Sequence, residues 1–231
     1  MDKQTEVLCS IEHHATLFAL LAKYAIEICH EDGKNAVING VTRYGEERGQ
    51  RMARRALQNG DELNLVNCQA YGEWRAKQGE MAGGVSKAEP ALVTYYNKCA
   101  WCEAWKKHGL LEYGKYYCVT IDDAVFHGFR KDFSVRTISN LSWGAESCEF
   151  DWGIPMSDKD YELLTEKRAQ LGDSCIRDFN YHTAHLFKTV GRILSEQLGV
   201  KGLEAVHKAL KTFGDIFGTD YVKAIKTGFK D

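Results

Sequence analysis

Residues 116–128, YYCVTIDDAVFHG, gather a thiol, two carboxylates and an imidazole in one short stretch. On a helix, Cys118 and Asp122 stand one turn apart on one stripe. Asp123 and His127 stand one turn apart on the next stripe. A carboxylate that accepts from one imidazole nitrogen fixes the tautomer and leaves the other nitrogen for proton transfer. Asp122 beside Cys118 disfavours the thiolate, so a nucleophilic Cys118 needs a cation close by. Without one, the thiol is packing and the aspartates act as bases, ligands or substrate clamps. The same spacing also fits a plain surface pair on a solvated helix.

Other residues could contribute. His13-His14 and His182-x-x-His185 fall at helix starts. His14 and His182 are taken as substrate-binding candidates, and no metal is assigned to them. Arg130 and Arg136 flank a sheet region and suit the clamping of a substrate carboxylate. Cys99-Ala-Trp-Cys102 has the CxxC form but lacks a second ligand pair at zinc spacing, so packing of Trp101 and Trp105 is the expected role of this segment. No GxSxG, HExxH or glycine-rich phosphate loop occurs. The motifs name no cofactor.

These residues need elements to hold them. Apolar residues recur at helical spacing over 12–29, with Gly33 as the expected stop, and a second helix is expected over 34–58. A third is read over 61–78. PALVTYYNKC (90–99) reads as a strand, 100–109 as a short helix and 111–127 as a longer one. Residues 133–144 and 147–154 read as antiparallel strands joined by a short turn. Helices follow over 157–171, 177–198 and 202–228, the last broken near Gly218. The fold class expected is α+β: one domain over 1–231, a small central antiparallel sheet (within 90–154) surrounded by helices, and similar helical hairpins at the two ends. Residues 13–37 align without a gap to 182–206, matching His13 with His182, Phe18 with Phe187, Gly33 with Gly202 and Val37 with Val206. A hairpin present twice, at 12–58 and 181–228, is the reading of that echo.

The 231 residues include 30 basic and 32 acidic side chains. That balance, with no basic tail, does not favour nucleic acid or an anionic membrane as partner. The start, MDKQTEVLCSIEHH, is polar and reads as no secretory signal. A cytoplasmic location is expected, with the eight cysteines mostly reduced. The partner expected is a small-molecule substrate, with a homo-oligomer left open.

Residues 98–150 carry an ordered set: Cys99 before a short helix closed by Gly109, then Cys118, Asp122, Asp123 and Gly128, then Gly144, Cys148, Phe150 and Trp152. Together with HHATLFALLAKYAIE near the start, this set resembles the L-2-amino-thiazoline-4-carboxylic acid hydrolase family over roughly residues 12–153. Where a proline often follows the first cysteine of that pattern, this chain has Ala100. The resemblance implies hydrolysis of a cyclic amidine-type ring at a carbon–nitrogen or carbon–sulfur bond, opening it to an N-carbamoyl amino acid. For that chemistry Asp122 or Asp123 would serve as base or amidinium clamp, His127 as proton shuttle, Arg130 or Arg136 as carboxylate holder, and Cys118 as an alternative covalent nucleophile. The alternative function is a non-catalytic small-molecule or metal-binding sensor.

Overall fold

The computed structural model describes residues 7–229; the first six residues, part of the polar start, and the last two lie outside it. The elements run α1 (Ile11–Gln58), α2 (Leu65–Ala70), β1 (Met81–Lys87), β2 (Val93–Cys99), α3 (Ala100–Lys107), α4 (Leu111–Gly114), a 3-10 turn (Tyr117–Val119), and α5 (Ile121–Phe129). Then follow β3 (Arg136–Ser139), β4 (Cys148–Asp151), α6 (Asp158–Leu171), α7 (Phe179–Leu198), α8 (Val200–Phe217) and α9 (Thr219–Thr227). The class is α+β, as expected. Among the described residues, no helix is long and apolar enough to cross a membrane.

The chain divides into two compact units, and the first division falls inside α1, after Val41. The first unit holds α1 up to Val41, residues 100–119 and residues 177 onward, and among the described residues it contains helices and no strand. Its core is the apolar stripe of α1 (Ala15, Phe18, Ala22, Ala25) with Trp105, Leu186, Val190, Leu194 and Phe213. The Trp105 indole N–H donates to the Ala15 carbonyl at 2.9 Å, which satisfies a polar atom inside this core.

Two backbone breaks in this unit share one geometry. The first is at His30 (φ 53, ψ −123), so the stop lies three residues before the expected Gly33. The second is at Gly199 (φ 60, ψ −133), the residue aligned with His30. Three residues on in each copy, a Cβ on Gly33 or on Gly202 would collide with a carbonyl, that of Ala25 or of its aligned counterpart Leu194. The sequence echo therefore has a backbone counterpart. Farther on the segments part: α1 runs unbroken through Gly45 and Gly49, whereas Gly218 (φ 100) separates α8 from α9.

The second unit holds residues 42–99 and 120–176. Its four-stranded sheet has the order β1-β2-β4-β3, antiparallel throughout. Tyr96 of β2 lies opposite Cys148 of β4, and Thr94 opposite Phe150. Met52, Ala56, Leu65, Tyr71, Phe126, Phe129, Phe133, Phe150 and Met156 form the core. Phe126 stacks on Phe133 at 4.5 Å and meets the edge of Trp152 at 5.3 Å, so α5 is fastened to the layer beneath it.

The crossing of α5 over α1 is unusually close. A Cβ on Gly45 would lie 2.7 Å from the Ala124 Cβ, one on Gly128 2.5 Å from the Glu46 carbonyl oxygen, and one on Gly49 would strike the Val125 carbonyl. Glycine at all three positions lets the two backbones touch. This contact fixes where the first turn of α5, with its two aspartates, stands against α1.

Some segments differ from expectation. The helix read over 111–127 is three pieces: α4, the 3-10 turn and α5. Gly114 closes the first, and glycine is required there because a Cβ would enter the Trp105 ring. Only Leu65–Ala70 of 61–78 is helical, and Met81–Lys87 is a strand that glycine-rich composition concealed. Residues 133–144 shorten to β3 plus a 3-10 turn at Leu141–Trp143.

Candidate active site

The site is built on α1 of the second unit. Tyr44, Arg48, Arg51 and Arg55 recur at spacings of four, three and four, which puts them on one helix stripe. Tyr44, Arg48 and Arg51 are buried, and the Arg48 guanidinium lies 5.6 Å from the centre of the Tyr44 ring. A buried arginine needs an acid. Glu73, wholly buried in the chain after α2, supplies it. Arg51 grips Glu73 with two donors, Nε at 3.0 Å and Nη2 at 2.9 Å. Arg55 Nη1 donates at 3.0 Å, and Arg48 Nε stands 3.5 Å away.

Arg48 is one turn beyond Gly45, the residue pressed against Ile121 and Ala124. It therefore faces the first turn of α5, where Asp122 sits. Burial pushes the Asp122 carboxyl up to about 6; the nearby Arg48 charge opposes that rise and Asp123 adds to it. Tyr96 of β2 feels the same carboxylate. Its phenol is raised by burial and then by the Asp122 charge, while Arg168 of α6 pulls the other way. Asp122 is thus a half-buried carboxylate under the influence of the Arg48 charge, and its own charge acts on the Tyr96 phenol. A carboxyl that titrates near 6 is ionised at neutral pH and still basic enough to take a proton from water.

The other residues singled out from sequence fall as follows. Asp123 Oδ1 accepts from the Ser134 hydroxyl at 2.9 Å and the Val135 N–H at 2.8 Å, so it ties down the loop after α5 and is not joined to His127. His127 is half-buried one turn along α5. Arg130 is exposed, pairs with Asp132 through two donors at 2.6 Å, and donates to the Leu63 carbonyl at 2.9 Å. Arg136 pairs with Asp151 at 2.8 Å on the sheet surface. Cys118, His14 and His182 belong to the first unit. Cys118 is half-buried in the 3-10 turn and forms no disulfide. His14 is buried with Nε2 3.2 Å from the Tyr117 hydroxyl, among the rings of Trp101, Tyr117 and Phe179. His182 is buried against Phe179 and Tyr181.

Among the described residues, no three His, Cys, Asp or Glu side chains are grouped to hold a metal ion. A groove of about 450 Å³ opens between α2 and α6, with Asp61, Asn67, Met156 and Lys167 on its walls. None of the residues singled out from sequence lines it.

Sequence reasoning missed Arg48, Glu73 and Tyr96. A signal for the first existed: the buried stripe Val37, Val41, Tyr44 continues in register into Arg48, Arg51 and Arg55. Such a register says that the arginines are inside and must have a partner. Nothing near Glu73 or Tyr96 in sequence marks either.

Comparison with known proteins gives one match. The model of a family described as L-2-amino-thiazoline-4-carboxylic acid hydrolase fits residues 9–152. No curated protein and no solved structure matches the chain.

Proposed function

The chain belongs to the L-2-amino-thiazoline-4-carboxylic acid hydrolase family, and from that premise we propose that it hydrolyses a small heterocyclic or amidine-type substrate with Asp122 as general base. The observation that carries this reading is the Asp122 carboxyl itself, desolvated, raised to about 6 and faced by Arg48.

In the reaction, Asp122 takes a proton from water as the water oxygen attacks the ring carbon between nitrogen and sulfur. The carbon–nitrogen double-bond pair goes to the ring nitrogen, which takes a proton from a neighbouring donor, and the new hydroxyl gives its proton back to that donor as the tetrahedral carbon expels sulfur. The carbon–sulfur bond breaks, the electron pair leaves on sulfur, and the proton held by Asp122 or by a neighbouring donor ends on the thiolate. The sum is addition of one water, giving an N-carbamoyl amino acid with a free thiol. Tyr96 and His127 are the donors assigned to these proton transfers. Arg48, kept in place through Glu73, favours the ionised form of Asp122 that takes the proton from water.

The test is a panel of thiazolines, cyclic amidines and cyclic ureas, followed by mass spectrometry for addition of water. Hydration of a panel member that is lost in Asp122→Asn and retained in Cys118→Ala supports the base route. Loss in Cys118→Ala with retention in Asp122→Asn replaces it with attack by the thiol. Retention in both removes the site.

A further inference from the structure

The groove between α2 and α6 has no role in the reaction proposed for Asp122, yet it has the make-up of a binding site. Its volume of about 450 Å³ falls within the range of small-molecule sites. All of its walls belong to the second unit. Asp160, Leu163, Lys167 and Gln170 recur at spacings of three, four and three, so one stripe of α6 forms a wall, with Glu166 beside it. That wall lies beyond the segment that the family model fits.

The groove offers acceptors, and its ammonium is already engaged. Lys167 Nζ is 2.7 Å from Asp61 Oδ1, and the Tyr71 hydroxyl donates to Asp61 Oδ2 at 2.5 Å. Burial would raise the Asp61 carboxyl, but hydrogen bonds from Lys167 and Tyr71 hold it below its ordinary value, so it is ionised at neutral pH. Asp160 is occupied in a capping box with Ser157. Glu166 has neither an ion pair nor a hydrogen bond among the described residues. Asp61, Asp160 and Glu166 against Lys167 leave the walls with a surplus of negative charge.

A second observation is independent of that charge. Asn67 lines the groove and is only 7% exposed. Its Nδ2 donates to the Glu62 carbonyl at 2.8 Å, so the atom it has left is Oδ1, an acceptor to which no group donates among the described residues. A buried acceptor without a donor is costly, and a ligand N–H would satisfy it. Beside these polar atoms the groove holds apolar surface: Leu163 is 44% exposed there, and Met156 lies beneath.

We infer that this groove binds a small organic cation: an ammonium head that pairs with Glu166, with Asn67 Oδ1 as a further acceptor, on an apolar body that covers Leu163. The surplus of carboxylates turns away an anion of the same shape. A neutral molecule keeps the apolar contact and loses the charged hydrogen bond. The inference goes beyond the hydrolase reading and does not depend on it.

The experiment uses three probes with one apolar body and different heads: 2-phenylethylamine, 2-phenylethanol and 3-phenylpropanoate. Dissociation constants for the full chain are measured by NMR titration at neutral pH. The expected result is a preference of about 10-fold for the amine over the alcohol, as for one charged hydrogen bond, and weaker binding of the acid than of either. Glu166→Gln removes most of that preference and leaves the affinity for the alcohol unchanged. Glu162→Gln, which neutralises an exposed acid of α6 outside the groove, leaves both affinities unchanged. Leu163→Asn weakens amine and alcohol alike. Glu162, Leu163 and Glu166 are exposed, so unchanged melting temperatures are expected. Equal binding of amine and alcohol, tighter binding of the acid, or a preference that Glu166→Gln reduces no more than Glu162→Gln does overturns the inference. Because no turnover is read, an absence of hydrolysis would defeat the hydrolase reading without altering this result.

Discussion

Replacing Asp122 by Asn should make the protein more stable above pH 6 and leave its stability nearly unchanged below pH 4. The Asp122 carboxyl rises from an ordinary 3.8 to about 6 in the folded chain. Between those values the folded state holds the proton and the unfolded state does not. Stability therefore falls as pH rises through this window, and the loss is complete once the folded carboxyl has ionised. The interval is about 2.2 pH units, each worth about 1.4 kcal/mol, so the burden reaches at most about 3 kcal/mol. Asn has nearly the same shape and no charge, so it escapes this burden. Other groups titrate alike in both proteins and cancel in the difference. Urea unfolding of the two proteins at half-unit steps from pH 4 to 8 reads the difference directly. It should climb from near zero to a plateau of a few kcal/mol, with Asn the more stable. A difference that stays flat across this range, or a wild type more stable than the variant at pH 7.5, refutes the claim that Asp122 is a desolvated carboxylate.

Gly49→Ala should unfold the second unit or cost it at least about 3 kcal/mol, because the new methyl strikes the Val125 backbone and neither helix can yield without moving the other; thermal melting checks this. Glu73→Gln should destabilise by about 3–5 kcal/mol by stripping the buried arginines of their acid, an effect that urea unfolding reads. His30→Gly should stabilise by about 1 kcal/mol, since His30 occupies a φ of 53 that its Gly199 counterpart adopts freely; a fall in melting temperature would count against that strain.

The parts of this fold that can be read from sequence are those with one long apolar face. The first half of α1 and the whole of α7 keep their period for many turns, and the breaks at Gly199 and Gly218 are marked by glycine. The break at His30 is not, because a histidine seldom takes that backbone conformation and only the aligned Gly199 hints at it. The 111–127 stretch looks continuous because no residue in it takes a positive φ that would mark its interruptions. β1 is hidden for a different reason. Its residues, MAGGVSK, have little strand preference and are mostly exposed, and the strand exists because β2 pairs with it. At the site, residue type pointed to the Asp122–Asp123 pair, but only three-dimensional contacts separate them: Asp123 ties a loop, and Asp122 faces Arg48. The acid that organises the arginine stripe lies 22 residues from Arg51, beyond the reach of local periodicity.

The central claim is that Asp122 is the base for ring opening. Its most direct test is the pH dependence of kcat/KM for hydrolysis of 2-amino-thiazoline-4-carboxylate by wild type and by Asp122→Asn. The account predicts a wild-type rate that rises through an apparent pKa near 6 to a plateau. It also predicts a fall of about 100-fold or more in the Asn variant, with the limb near pH 6 gone. An Asn variant that keeps the wild-type rate, or that keeps the same limb at a lower rate, would contradict it.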